Sequence, residues 1–282
     1  MELNGLGGAG CVPGSNGQVP GAGFDVTVPN VARIYDYLLG GKDNYTADRN
    51  AAGELQKVVR GVQVACRQNR QFLRRAVEYL AGEAGICQFV DIGSGLPTAS
   101  NTHQIARAVR PGARVVYVDH DPVVVAHGRV LLGSSPNVAV VDADLRDPGA
   151  ITGDPALREL VDLSKPTAFL LVAVLHFIGD DEDPYRIVGM LRSVMAPGSF
   201  LVISHVTGDG VSPEEYKGGV SVYEKASAPV VPRSYHEVLR FFDGMDLVDP
   251  GLVNISQWRT ERGATRRLIY GGVACHAKQD NG

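Results

Sequence analysis

No run of eighteen apolar residues occurs in the chain, which leaves no segment with the length and character of a membrane-spanning helix. Cysteine is scarce, with four in 282 residues, and Cys11, Cys66, Cys87 and Cys275 show no C-x-x-C spacing. Neither a zinc site nor a disulfide framework is indicated, and a reducing compartment fits. Positive charge is also short. The 27 Lys and Arg against 31 Asp and Glu, a formal net charge of −4, leave no electrostatic footprint for nucleic acid. The opening residues MELNGLGGAGC lack the positive start and long apolar core of a secretory signal. Together these absences predict a cytoplasmic protein acting on a small molecule, with no nucleic-acid and no membrane partner. No internal repeat is visible, so a solenoid is excluded.

What is present is a composition of 44% hydrophobic and 21% charged residues, enough for one domain with a full core. Residues 1–23 are rich in Gly, Pro, Asn and Ser and read as a disordered tail, with order beginning near Phe24. Ile34, Tyr37 and Leu38 recur at helical spacing and Gly40-Gly41 ends that helix. A second helix is expected over Ala47 to Arg60 and a third over Arg67 to Gly82, where Phe72, Leu73, Ala76, Val77 and Leu80 form one apolar stripe. The three helices, residues 24–85, are expected to cap a core of residues 86–282 in which strands and helices alternate, the pattern of a parallel α/β sheet.

The core is organised around FVDIGSGLPTAS, Phe89 to Ser100, and RVVYVDHDPV, Arg114 to Val123. The first reads as a strand that stops near Asp91, turns through Gly93 and Gly95, and restarts as a helix around Thr98. The second is a buried strand ending in Asp119, whose carboxylate suits both hydroxyls of a ribose. A dinucleotide fingerprint wants a third glycine where Thr98 stands. Asp91 before the glycines would oppose a pyrophosphate and suit an ammonium group, so the order Asp-x-Gly-x-Gly favours S-adenosylmethionine. Asp144 falls at the end of the strand Asn137 to Val141, placed to accept from an adenine amino group, with Leu145 to pack on the ring.

Further along, TAFLLVAVLHFIGD is expected as a central strand delivering His176 and Phe177 to the reaction zone, and FLVISHV as a fifth strand ending at His205. Either histidine is a candidate general base, by its near-neutral reference pKa. Arg70 is a candidate carboxylate clamp. The acidic run Asp180 to Asp183 lacks mixed ligand types and reads as a helix start, so no metal is expected. Thr207 to Pro232, with Tyr216 and Tyr223, reads as a lid or substrate wall, and Leu247 to Val253 with Leu268 to Ala274 as a final antiparallel pair.

Seven motifs in order, RIYDYLLGGKDNY, QFVDIGSGLPT, VVYVDHDP, ADLRDP, LLVAVLHFI, RFFDG and YGGVA, resemble the actinobacterial S-adenosyl methyltransferase family, long catalogued as a domain of unknown function. The resemblance covers about Phe24 to Ala277. It implies a Rossmann-like class I methyltransferase fold, a seven-stranded mostly parallel sheet with an N-terminal helical cap. By the same resemblance Asp91, Gly93, Ser94 and Gly95 line the methionine part of the cofactor, Asp119 and His120 the ribose, and Asp144 and Leu145 the adenine. It also places Tyr35, Lys42, Asn44 and Tyr45 near cofactor or substrate. The expected activity is methyl transfer from S-adenosylmethionine to a small-molecule acceptor; the alternative is a non-catalytic protein that binds the cofactor or its demethylated product.

Overall fold

The computed structural model describes residues 25–97, 100–132, 135–260 and 266–277. The expected tail and Thr98 lie outside these residues. Among the described residues the chain opens with three helices, α1 (Val31–Leu39), α2 (Thr46–Val58) and α3 (Val62–Gly82). Strands and helices then alternate through β1 (Gln88–Ile92), α4 (Thr102–Val109), β2 (Arg114–Asp119), α5 (Pro122–Leu132) and β3 (Val138–Asp142). Two short helices, α6 (Pro148–Gly153) and α7 (Pro155–Leu160), precede β4 (Ala168–Val172). After α8 (Pro184–Ser193) and β5 (Phe200–Val206) come α9 (Pro213–Tyr223) and α10 (Tyr235–Leu239), and the sheet ends in β6 (Asp246–Leu247), β7 (Val253–Asn254) and β8 (Ile269–Cys275).

The sheet order is β3-β2-β1-β4-β5-β8-β6, with β7 pairing β8. The first five strands run parallel, and β8 is antiparallel to β5, β6 and β7. Seven strands therefore lie along the path, as expected, and a two-residue strand is added beside β8. The single strand expected over Leu247 to Val253 is two pieces, because Pro250 has no N–H to give a ladder and Gly251 turns at φ 83° with its N–H on the Val248 carbonyl. Chain order reverses between β1 and β4, which opens a crevice at the C-terminal ends of these two strands.

Side-chain alternation explains the two layers. Phe89, Val115 and Tyr117 face one way, onto the Leu73, Ala76, Val77 and Leu80 stripe of α3, while Val90, Val116 and Val118 face the layer that contains Ile151, Leu157 and Leu191. The α3 stripe is buried to 2% exposure or less. Each of its leucine and valine side chains contributes about 1.5–3 kcal/mol by leaving water.

The cap is narrower than the expected residues 24–85. Most of α3 belongs to the sheet, and the separate cluster under the cap joins Ile34 and Leu38 of α1, Ala52 and Leu55 of α2, and Cys66 of α3 to Val222 of α9, an element from the far half of the chain. A buried ion pair fastens it. Arg33 Nε donates to Asp48 Oδ2 at 2.8 Å, both side chains at most 3% exposed, and the same carboxylate accepts the Asn30 and Tyr45 backbone N–H groups.

Candidate cofactor and acceptor site

One cavity of about 430 Å³ opens beyond the C-terminal ends of β1 to β5, and it collects most of the residues singled out from the sequence. Its floor is the turn after β1. Gly93 takes φ 68° and Gly95 φ 65°. A Cβ on Gly93 would lie 2.3 Å from Val174 Cγ2, so glycine is required there by both dihedral and space; at Gly95 a Cβ would meet nothing within 4 Å, which leaves the backbone facing open space. The turn is tied to β2 by the Gly93 and Ser94 N–H groups on the Val118 carbonyl, at 2.8 and 3.2 Å.

The two acids at the strand ends are held differently. Asp119 accepts Gly95 N–H on Oδ2 at 2.9 Å and Asp121 N–H on Oδ1 at 3.0 Å. Burial pushes its carboxyl up, and the two backbone donors pull it back. Asp91 accepts the Thr102 hydroxyl at 2.6 Å, and burial pushes its carboxyl up to about 6, against the pull of Thr102 and the nearby Arg70. An anion held at such cost in low dielectric gains strongly from a cationic partner.

Around these acids the cavity wall includes Ser94, His120, Asp144 and Leu145 on the sheet side and Tyr35, Arg70, His176 and Phe177 on the other. Asp144 is oriented by Arg146, whose backbone N–H and Nη1 reach Oδ1 at 2.9 and 3.2 Å while its Nε pairs with Glu182. Arg70 Nη2 donates to the Ser100 carbonyl at 2.8 Å. The Tyr35 hydroxyl donates to the Cys66 carbonyl and accepts Asn69 Nδ2, and Asn69 Oδ1 in turn accepts the Ser204 hydroxyl at 2.6 Å. This chain links cap to sheet.

Several expectations are corrected. The fourth strand stops at Val172, since Ala173 takes φ 59°, and His176 and Phe177 ride on a short 3₁₀ turn, Leu175–Phe177. His205 does not line the cavity and is fully buried: Nδ1 donates to the Val206 carbonyl at 2.7 Å and Nε2 accepts Arg233 Nη1 at 3.0 Å. With both nitrogens spoken for and its pKa pushed down to about 3 by burial, it serves as a structural neutral imidazole and not as a base. His176 does line the cavity, but Nδ1 accepts the Val206 N–H at 3.4 Å, so Nε2 carries the proton. Burial, with His205 and Arg233 alongside, holds its pKa well below the usual value, which makes it a hydrogen-bond donor rather than a ready base. Lys42, Asn44 and Tyr45 lie outside the cavity. Lys42 is exposed, Asn44 Nδ2 donates to Asp36 at 2.8 Å, and Tyr45 starts α2 with its ring 5.3 Å from the Arg33 guanidinium.

Sequence reasoning missed three groups. Thr102 holds Asp91. Asn30 caps α1 and bonds Asp121 and Ser227, closing the cavity beside Asp119. Arg233, 2% exposed, binds the Leu175 and Ile178 carbonyls, His205 and Asp180, fastening the turn that carries His176. Asn30 carried a signal, an N-cap residue ahead of an amphipathic helix; a buried arginine in PRSY carries none.

A family profile described as S-adenosyl methyltransferase matches residues 18–277. The chain is similar to a protein of Thermobifida fusca whose crystal structure is described as that of a candidate methyltransferase, at 41% identity and TM-score 0.85, covering 92% of this chain and 98% of that one. It is also similar to a DUF574-family protein of Streptomyces avermitilis, at 39% identity and TM-score 0.85, covering 89% and 98%. No curated protein matches it.

Proposed function

The chain belongs to the S-adenosyl methyltransferase family, for which S-adenosylmethionine is the methyl donor, and from that premise we propose that it methylates a small molecule held under its helical cap. The observation that carries this reading is one cavity with two unlike sides: a glycine turn and strand-end acids on one, an apolar cap on the other.

The residues fit the donor. The open backbone at Gly95 admits close approach, and Asp91 offers a buried, unneutralised carboxylate for the amino group of the methionine part. Asp119 presents two oxygens that each accept a single backbone N–H and keep capacity for a ribose hydroxyl, with His120 beside it. Leu145, 5% exposed, supplies an apolar face for adenine, and Asp144, oriented by Arg146, accepts from its amino group.

When bound, S-adenosylmethionine supplies a methyl group already activated on a positively charged sulfur. What remains for the chain is to position the acceptor and exclude water, and general-base help is not required. The cap excludes water, and His176 Nε2–H is placed to orient an acceptor by donating to it.

Calorimetric titration with S-adenosylmethionine and S-adenosylhomocysteine tests the site. Asp119→Ala is expected to weaken both by at least about tenfold, the loss of hydrogen bonds to a charged group. Undiminished affinity would remove the ribose assignment. Turnover of labelled methyl donor on a bound acceptor separates an enzyme from a protein that only binds the cofactor.

A further inference from the structure

The acceptor side of the cavity has a chemistry of its own, and reading it rests on the methyltransferase assignment above. Leu55, Val59, Val220 and Val230 wall it together with the rings of Phe177 and Tyr223, which stand 5.7 Å apart. Its cations lie elsewhere. Arg70 lines the cavity beside Asp91 and the glycine turn, Arg146 is paired with Asp144 and Glu182, and no lysine or arginine of α1, α2 or α9 lines it among the described residues. The carboxylates that reach it from the cap are engaged. Asp36 accepts Asn44 Nδ2 and the Asp43 N–H, and Glu215 accepts both Arg266 nitrogens at 2.5 and 2.8 Å.

Apart from the hydroxyl of the exposed Tyr216, two polar groups remain uncommitted there. Among the described residues, neither the Tyr223 hydroxyl nor His176 Nε2 has a hydrogen-bond partner, although neither is sealed away from the cavity. An anionic acceptor would lose its hydration, find no cation to replace it, and sit near two fixed carboxylates. A flat neutral molecule would bury its rings against Phe177 and Tyr223 and spend one polar group on the two free partners.

We propose that the space under the cap is the acceptor subsite, and that it takes an uncharged aromatic molecule bearing one neutral hydrogen-bonding group while rejecting phosphorylated or carboxylate-bearing compounds. Naphthol and naphthyl phosphate share one ring system and differ in charge, so they are the probes.

Each is titrated by calorimetry into the protein loaded with S-adenosylhomocysteine. Naphthol is expected to bind at least about tenfold more tightly than naphthyl phosphate, the discrimination that an unpaired charge in an apolar site imposes. Val220→Trp, which fills the space under α9, is expected to abolish naphthol binding while S-adenosylhomocysteine affinity, the check on folding, stays within about twofold. Tyr223→Phe, which keeps the ring, is expected to weaken naphthol by about three- to tenfold through the lost hydrogen bond. Tighter binding of the phosphate, or naphthol binding untouched by both variants, would overturn the proposal. Failure of S-adenosylhomocysteine itself to bind would count against the cofactor assignment alone, because the naphthol comparison repeated on the unloaded protein still decides the acceptor subsite.

Discussion

The half of the cavity built on the ends of β1, β2 and β3 and the half roofed by α1, α2 and α9 are made by different means. In the first, backbone does the work: two glycines at positive φ, N–H groups on the Val118 carbonyl, and an aspartate that clasps Gly95 and Asp121. All of it lies within one strand-turn unit and its neighbour. In the second, side chains from residues far apart in the chain meet, as Leu55 of α2 and Val222 of α9 do in one cluster, and the polar link runs from Tyr35 through Asn69 to Ser204. On the proposed reading, the first half is a local device for one cofactor, and the second is a tertiary surface that would select an acceptor by shape and charge.

The largest effect that would break this contrast falls on the cap. Asp48→Ala leaves the buried Arg33 guanidinium without its carboxylate and two backbone N–H groups without their acceptor, and it is expected to cost about 3–5 kcal/mol in urea denaturation. Gly93→Ala is next. Its Cβ must displace Val174 at a residue with φ 68°, so a strain of roughly 1–3 kcal/mol falls on the glycine turn, and S-adenosylhomocysteine affinity is expected to fall by at least about tenfold while naphthol affinity falls less.

A smaller, pH-dependent effect isolates Asp91. Its folded pKa of about 6 lies above the ordinary carboxylate value, so its contribution to the stability of the unliganded protein is fully present below that ordinary value and is lost as pH rises through about 6. Binding of a cationic amino group runs the other way, because it needs the ionised form. Affinity for S-adenosylhomocysteine is therefore expected to fall by about tenfold between roughly pH 7 and pH 5, and Asp91→Asn to be weak and flat across that range. The smallest effect sharpens the boundary: Lys42→Ala, at an exposed residue outside the cavity, is expected to leave both affinities within about twofold.

The legibility of the two halves follows from the same difference. The strand, glycine turn and acid after β2 were readable because period, φ requirement and charge are properties of neighbouring residues. The five parallel strands and the α3 stripe were readable for the same reason, although α3 begins at Val62 and not at the expected Arg67. His205 was misread because a strand-end histidine looks the same whether it faces a cavity or Arg233. Lys42, Asn44 and Tyr45 were expected near the cofactor or substrate from the family resemblance, which carries no geometry; they do not line the cavity, and Asn44 and Tyr45 instead hold the α1–α2 turn.

By itself the sequence determined the doubly layered α/β core, the family, and the glycine turn and strand-end acids that line the cavity, since each depends on interactions within a few residues or on the two-residue period of a strand. Tertiary structure alone decided that α9 completes the cap, that Arg233 neutralises His205 as a base and fixes the turn under His176, and that, among the described residues, no lysine or arginine of α1, α2 or α9 lines the cavity. Those outcomes depend on which distant side chains share a low-dielectric space, and burial, which sets the cost of every charge in it, is a property of the assembled fold.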